Sequence, residues 1–160
     1  MIGVGLIYKV CKIEKPYIQL SSCADDAAFK LFMSDVGILR KFSKLSYEVV
    51  FDATPHYREF KGSMTENYVL GELIQSVNDT AYYWLSANTA EADFIIQSGA
   101  EVVPIEVKSE KNAKARSLAE YRKKYEPKYA VKTSMKNDIG GEEVLNIPLY
   151  MISRFECFKR

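Results

Sequence analysis

Residues 91–108 read Glu-Ala-Asp-Phe-Ile-Ile-Gln-Ser-Gly-Ala-Glu-Val-Val-Pro-Ile-Glu-Val-Lys. Two apolar runs, Ala92–Ile96 and Val102–Val107, flank Ser98-Gly99-Ala100-Glu101, a tight turn in which glycine supplies the positive φ. With Gly99 and Ala100 as the loop, pairing counts outward as 98 with 101 and 97 with 102, and Asp93 falls opposite Glu106. Side chains alternate along a strand, so Glu106 and Lys108 share a face, and their cross-strand partner Asp93 joins them. Val103, Ile105, Val107, Phe94 and Ile96 take the other face. The pattern predicts a hairpin that is apolar except for one acidic cluster with a lysine. A slip of a single residue takes Asp93 out of that cluster. An isolated Glu-x-Lys ordinarily marks the solvated face of an edge strand, but Val102-Val103-Pro104-Ile105 is too apolar for such an edge.

Upstream, Val69, Leu70, Leu73, Ile74 and Val77 recur at helical spacing from Ser63, and Asn78-Asp79 ends that helix. Glu66 lies on the same stripe as Leu70, Leu73 and Val77, where a carboxylate needs a partner or a raised pKa. Ser63-x-x-Glu66 also fits a capping box, so Glu66 has a structural reading beside the functional one. Ser46–Lys61 lacks periodicity and reads as a loop or lid, with the single histidine, His56, exposed in it. Ala81–Leu85 adds a strand before the hairpin.

Lys111–Tyr125 reads as a basic helix that stops before Pro127, and Tyr129–Thr133 and Ile147–Ile152 read as strands. Gly3–Ile13 reads as a strand, and the apolar run Phe29–Met33 ends at Asp35, which caps a short helix. Strands and helices in this order predict an α/β fold, a mixed sheet with helices packed against it.

The 160 residues suit one compact domain. A formal net charge of +1 excludes a polycation, so any affinity for nucleic acid comes from local clustering. Cys11, Cys23 and Cys157 are scattered, a poor disulfide framework and a poor zinc site, which predicts a reducing cytoplasm. One histidine makes a histidine metal cage or a Ser-His-Asp triad hard to build. No uncharged run approaches the ~18 residues that span a bilayer, and Met1–Tyr8 lacks a basic leader, so no membrane partner is expected.

Glu66, Asp93 and Glu106 together, without histidine or cysteine, suit a hard cation with oxygen ligands, Mg²⁺ or Mn²⁺ in its place. Such a metal polarises a phosphoryl oxygen, and Lys108 beside it orients water or neutralises charge in the transition state. Between Lys108 and Lys128 stand eight basic residues and three glutamates. Of these, Lys111, Lys114, Arg116, Arg122 and Lys123 are the candidates for backbone-directed contact with nucleic acid. A solvated helix with cations at its C-terminal end explains Arg122 to Lys124 equally well.

Glu66 on a helix, Asp93 on a strand and Glu106-Val107-Lys108 on the next strand resemble the PD-(D/E)XK nuclease superfamily, with Ala92 where the name-giving proline stands. The wider set of segments is Ala28–Leu39, Gly62–Leu73, Tyr82–Trp84, Glu91–Phe94, Pro104–Ser109 and Ile147–Tyr150. Together they resemble the C-terminal domain of unknown function that follows an AAA+-type ATPase and a winged helix in bacterial and archaeal proteins. The resemblance implies a restriction-endonuclease-like mixed sheet over residues 28–160, after a remnant of a winged-helix-like region over residues 1–27. It implies a Mg²⁺-dependent nuclease site with Glu66, Asp93, Glu106 and Lys108 as catalytic residues, DNA favoured over RNA as substrate, and an ATPase module as a partner in cis. The alternative is a non-catalytic nuclease-fold module that binds nucleic acid or a partner and regulates the ATPase. No G-x-x-x-x-G-K-[ST] occurs, so ATP hydrolysis is not expected of this chain.

Overall fold

In a computed structural model, the structure describes residues 5–44, 55–77, 80–87, 90–110, 116–137 and 139–158. Seven strands form one mixed sheet: β1 (Ile7–Ile13), β2 (Ala24–Met33), β3 (Tyr82–Leu85), β4 (Glu91–Ser98), β5 (Glu101–Val107), β6 (Ala130–Ser134) and β7 (Val144–Pro148), in the order β2-β1-β3-β4-β5-β6-β7. Strands β3, β4 and β5 run antiparallel, whereas β5, β6 and β7 are parallel. The α-helices among the described residues are α1 (Val36–Phe42), α2 (Pro55–Val77) and α3 (Arg116–Tyr125), and 3-10 segments run over Leu20–Cys23 and Leu149–Phe158. The fold is thus α/β, with a mixed sheet flanked by helices, as the element order predicts.

Two cores sandwich the sheet. On one side Val69, Leu70 and Leu73 of α2 bury against Phe94, Ile96, Val103 and Ile105, with Ile152 and Phe155 closing the layer. On the other, Tyr121 of α3 joins Trp84, Ile13, Ala92 and Ile95. Trp84 meets Tyr121 and Tyr125 edge-on at 5.2 and 5.6 Å, and its indole N–H donates to the Tyr125 hydroxyl at 3.1 Å. Those edge-on contacts let the ring's positive rim face a neighbouring π surface while the indole N–H remains satisfied.

Several expectations hold. Asp35 caps α1, its carboxylate accepting the Ile38 N–H at 3.0 Å. Gly99 has φ 63°, and β4 pairs with β5 in the expected register from Ser98↔Glu101 to Phe94↔Ile105.

Three expectations need correction. Helix α2 begins at Pro55, so residues 55–61 are helical and not loop; proline's fixed φ and missing N–H suit a first helical turn. His56 lies in that turn, and the rest of the expected loop falls outside the described residues. Ser63 is consequently inside the helix, its hydroxyl donating to the Glu59 carbonyl at 3.4 Å, which removes the capping-box role for Glu66. Finally, the last strand starts earlier and stops at Pro148; Leu149 onward winds into the 3-10 segment. Packing against α2 decides this, since Leu149, Met151, Ile152 and Phe155 all join the α2 core.

Helix α2 is pinned to the edge strand β2 by one buried side chain. The Asn67 amide oxygen accepts the Met33 N–H and its nitrogen donates to the Met33 carbonyl, both at 2.8 Å. Asn67 is 3% exposed, so truncation strands both backbone groups away from good partners. Asn67→Ala is expected to destabilise the fold by about 2 kcal/mol in urea titration. A loss below about 0.5 kcal/mol, the range of an ordinary surface change, contradicts the clamp.

Candidate active site

The site grows from an irregularity in β4. Tyr82 pairs with Ile95 and Trp84 with Ala92, so β4 carries one more residue than β3 across the same span. Ala92 and Ile95 both face the α3 core, which leaves Asp93 and Phe94 as the bulge between them. The bulge ends the regular alternation one residue beyond Phe94↔Ile105, at the point where strict pairing puts Asp93 squarely opposite Glu106 on one face. Instead the Asp93 carboxylate accepts the Val107 N–H at 2.7 Å, which fixes it at the end of β5.

The charges acting on Asp93 come from Glu66 on α2, Lys108 and Lys30. Burial first, and then the Glu66 carboxylate, push the Asp93 pKa up to about 7, against the opposing pull of the Val107 N–H and the two lysines. Glu66 is raised as well, chiefly by burial and further by Glu91, with Lys30 and Lys108 opposing. Two acidic groups are therefore held where their ionised forms are costly.

Glu106 turns elsewhere. It is 1% exposed, and one oxygen accepts the Leu118 N–H in the first turn of α3 at 3.2 Å, while the other meets the Lys108 ammonium at 2.7 Å. A helix's free N–H groups and positive end suit a buried carboxylate. Lys108 itself is anchored by its backbone N–H, which donates to the Thr133 carbonyl at 2.9 Å across the parallel β5–β6 pair. Lys108 is thus the link: it bonds Glu106 and its field reaches both Asp93 and Glu66.

Two residues that the motif reading passed over complete the cluster. The Lys30 ammonium, on β2, bonds Glu91 at the start of β4, lies 3.9 Å from Glu66 and stands 5.2 Å above the Tyr83 ring. Burial works against the Lys30 charge, yet the Glu91 bond and the fields of Glu66, Glu91 and Asp93 outweigh it and hold the ammonium above the ordinary lysine value. The sequence signal for Lys30 is a lone cation inside the run Ala28–Met33, and for Glu91 it is the position two before Asp93.

The basic segment is only partly free. Arg122 pairs with Glu143, and Lys124 lies over the Trp84 and Tyr125 rings at 5.6 and 5.1 Å. Arg116 and Lys123 are exposed on α3, whereas Lys111 and Lys114 fall outside the described residues.

Among the described residues, no three Asp, Glu, His or Cys side chains converge closely enough to form a preassembled metal cage. The donor chemistry still suits a hard divalent cation, because the site offers carboxylate oxygens alone and burial makes two of those carboxylates, Asp93 and Glu66, costly to ionise without a bound cation. Among the described residues no helix is long and apolar enough to cross a membrane.

No curated protein and no solved structure matches the chain. A family model does, over residues 61–150, which takes in Glu66, Glu91, Asp93, Glu106 and Lys108 and more than half of the 160 residues. The chain with this acidic recess at a β4 bulge belongs to the family described as Domain of unknown function (DUF4143).

Proposed function

We propose that the domain is a divalent-metal-dependent nuclease-type module of restriction-endonuclease-like fold, acting on nucleic acid phosphodiesters, DNA before RNA. The observation that carries the reading is the setting of Asp93: a half-buried carboxylate at a strand bulge, crowded by Glu66 and faced by Lys108. Carboxylates gathered at such a cost commonly serve function, and a cation offsets the cost. Asp93 and Glu66 would hold the metal, with Glu106 joining once it leaves Lys108. When bound, Mg²⁺ or Mn²⁺ would polarise a phosphoryl oxygen and stabilise the leaving oxygen.

Lys108 would neutralise charge developing on the phosphoryl group; in support, its backbone N–H is bonded to Thr133 and the field of its ammonium acts on both Asp93 and Glu66. Arg116 and Lys123 offer phosphate contacts that position a strand without reading its sequence. The resemblance to domains that follow an AAA+-type ATPase supports an ATPase module as the partner in cis.

One observation favours a second reading, a nuclease fold that binds without cleaving. Both Glu106 oxygens are already engaged, by Lys108 and by the N-terminus of α3. Incubation with plasmid and single-stranded substrates in Mg²⁺ or Mn²⁺ separates the two. The nuclease reading expects cleavage that Glu106→Ala lowers by about 100-fold or more. Binding without metal-dependent cleavage supports the non-catalytic module, and cleavage indifferent to Glu106 overturns the assignment of this site.

A further inference from the structure

We propose that Lys30 is the resident counter-cation of the acidic recess, an internal ammonium that a divalent cation must displace and that is then free to meet the phosphate. The inference rests on the metal-dependent reading of the same site and assigns a role to a residue outside the Asp93, Glu106 and Lys108 motif.

Lys30 comes from the edge strand β2, yet its ammonium bonds Glu91 of β4, two residues from Asp93, and lies 3.9 Å from Glu66 of α2. It therefore joins carboxylates from two different elements, as a bound cation does. The Tyr83 ring beneath it at 5.2 Å lends the π face that favours a cation. The side chain is 32% exposed, so the ammonium has a route to solvent when it is displaced. The Asn67 clamp on Met33 fixes β2 to the helix that carries Glu66, which sets the distance between Lys30 and that carboxylate.

Charge counting explains why the lysine matters. Glu66, Glu91 and Asp93 have two lysines near them, and Lys108 is already committed to Glu106. Without Lys30 the recess holds carboxylates with no dedicated positive charge, an unfavourable state that any small cation relieves. A divalent ion and the ammonium compete for the same oxygens, so metal binding and release of Lys30 are coupled. A released ammonium on a flexible stem beside the metal is suited to a phosphate oxygen as a mobile point charge.

The competition gives a sign that a merely structural lysine does not. Calorimetric titration with Mn²⁺ is expected to show binding to Lys30→Met about tenfold tighter than to the wild type. Lys30→Arg, which keeps the charge, is expected to bind no tighter than wild type. In the wild-type chain, Mn²⁺ is expected to raise the rate at which an amine-reactive label modifies Lys30, read by peptide mass spectrometry. Equal or weaker Mn²⁺ binding by Lys30→Met, or labelling of Lys30 unchanged at saturating Mn²⁺, overturns the role of Lys30 and leaves the metal site standing. Absence of Mn²⁺ binding in both wild type and Lys30→Met overturns the metal-dependent reading itself, and the role of Lys30 with it. Binding that appears only in Lys30→Met supports the role in its strongest form.

Discussion

Asp93→Asn is expected to make the folded chain more stable at neutral pH, by about 2 kcal/mol, while removing its affinity for Mn²⁺. The sign follows from the raised pKa. Below about pH 4 the Asp93 carboxyl is protonated in folded and unfolded chains alike, and it contributes no difference. Between that pH and about 7 the folded chain keeps a proton that the unfolded chain has lost, so the stability of the wild type falls as the pH rises. Above 7 both forms are ionised and the full cost remains. The neutral amide escapes this cost and still offers an oxygen to the Val107 N–H. The difference between variant and wild type should therefore open between pH 4 and 7 and stay constant above 8. The full shift corresponds to about 4 kcal/mol, and the smaller figure allows for solvent reaching a half-buried group. Urea denaturation across this range checks it. An Asp93→Asn variant less stable than wild type at pH 8 contradicts the claim that Asp93 is held at a cost, and stability exchanged for activity is the expected mark of a working site.

Lys108→Met is expected to lower metal-dependent phosphodiester cleavage by about 10²–10³-fold, read under single-turnover conditions. The substitution keeps most of the side-chain volume and removes the charge. It also strips Glu106, 1% exposed, of the ammonium at 2.7 Å, leaving a buried carboxylate with the Leu118 N–H. A stability loss of about 3 kcal/mol is expected with it, since an uncompensated buried charge is costly. Glu106→Gln in the same chain should recover much of that stability and none of the cleavage. That recovery separates the two duties of Lys108, neutralising Glu106 and acting on substrate. Cleavage within a few-fold of wild type in a folded Lys108→Met chain contradicts the catalytic duty.

The antiparallel hairpin is legible in the sequence because Gly99 and the flanking β-branched runs leave few alternatives to the observed turn. The acidic residues stand out for the same reason, as charges where the pattern calls for apolar side chains. What the pattern hides is the extra residue in β4. Strict alternation has no way to signal a bulge, and the bulge decides that Asp93 answers to Glu66 and Val107. A helix start at Ser63 makes Glu66 ambiguous; Pro55 begins the helix earlier, and only the stripe reading of Glu66 survives. Lys30 escapes a motif reading because its partners lie 36 and 61 residues away in sequence, at Glu66 and Glu91, and β2 meets them only through the folded sheet. The basic segment reads as one surface, but its rings and acids divide it: Arg122 goes to Glu143 and Lys124 to Trp84 and Tyr125, which leaves Arg116 and Lys123 exposed.

Whether Asp93 holds a metal is read from a crystal of the chain soaked in Mn²⁺ and measured by anomalous scattering. A peak is expected at about 2.1 Å from an Asp93 carboxylate oxygen, with Glu66 or Glu106 as a second ligand and the Lys30 ammonium moved away from Glu66. A recess without a peak at saturating Mn²⁺, or a peak only at surface carboxylates, contradicts a metal at Asp93.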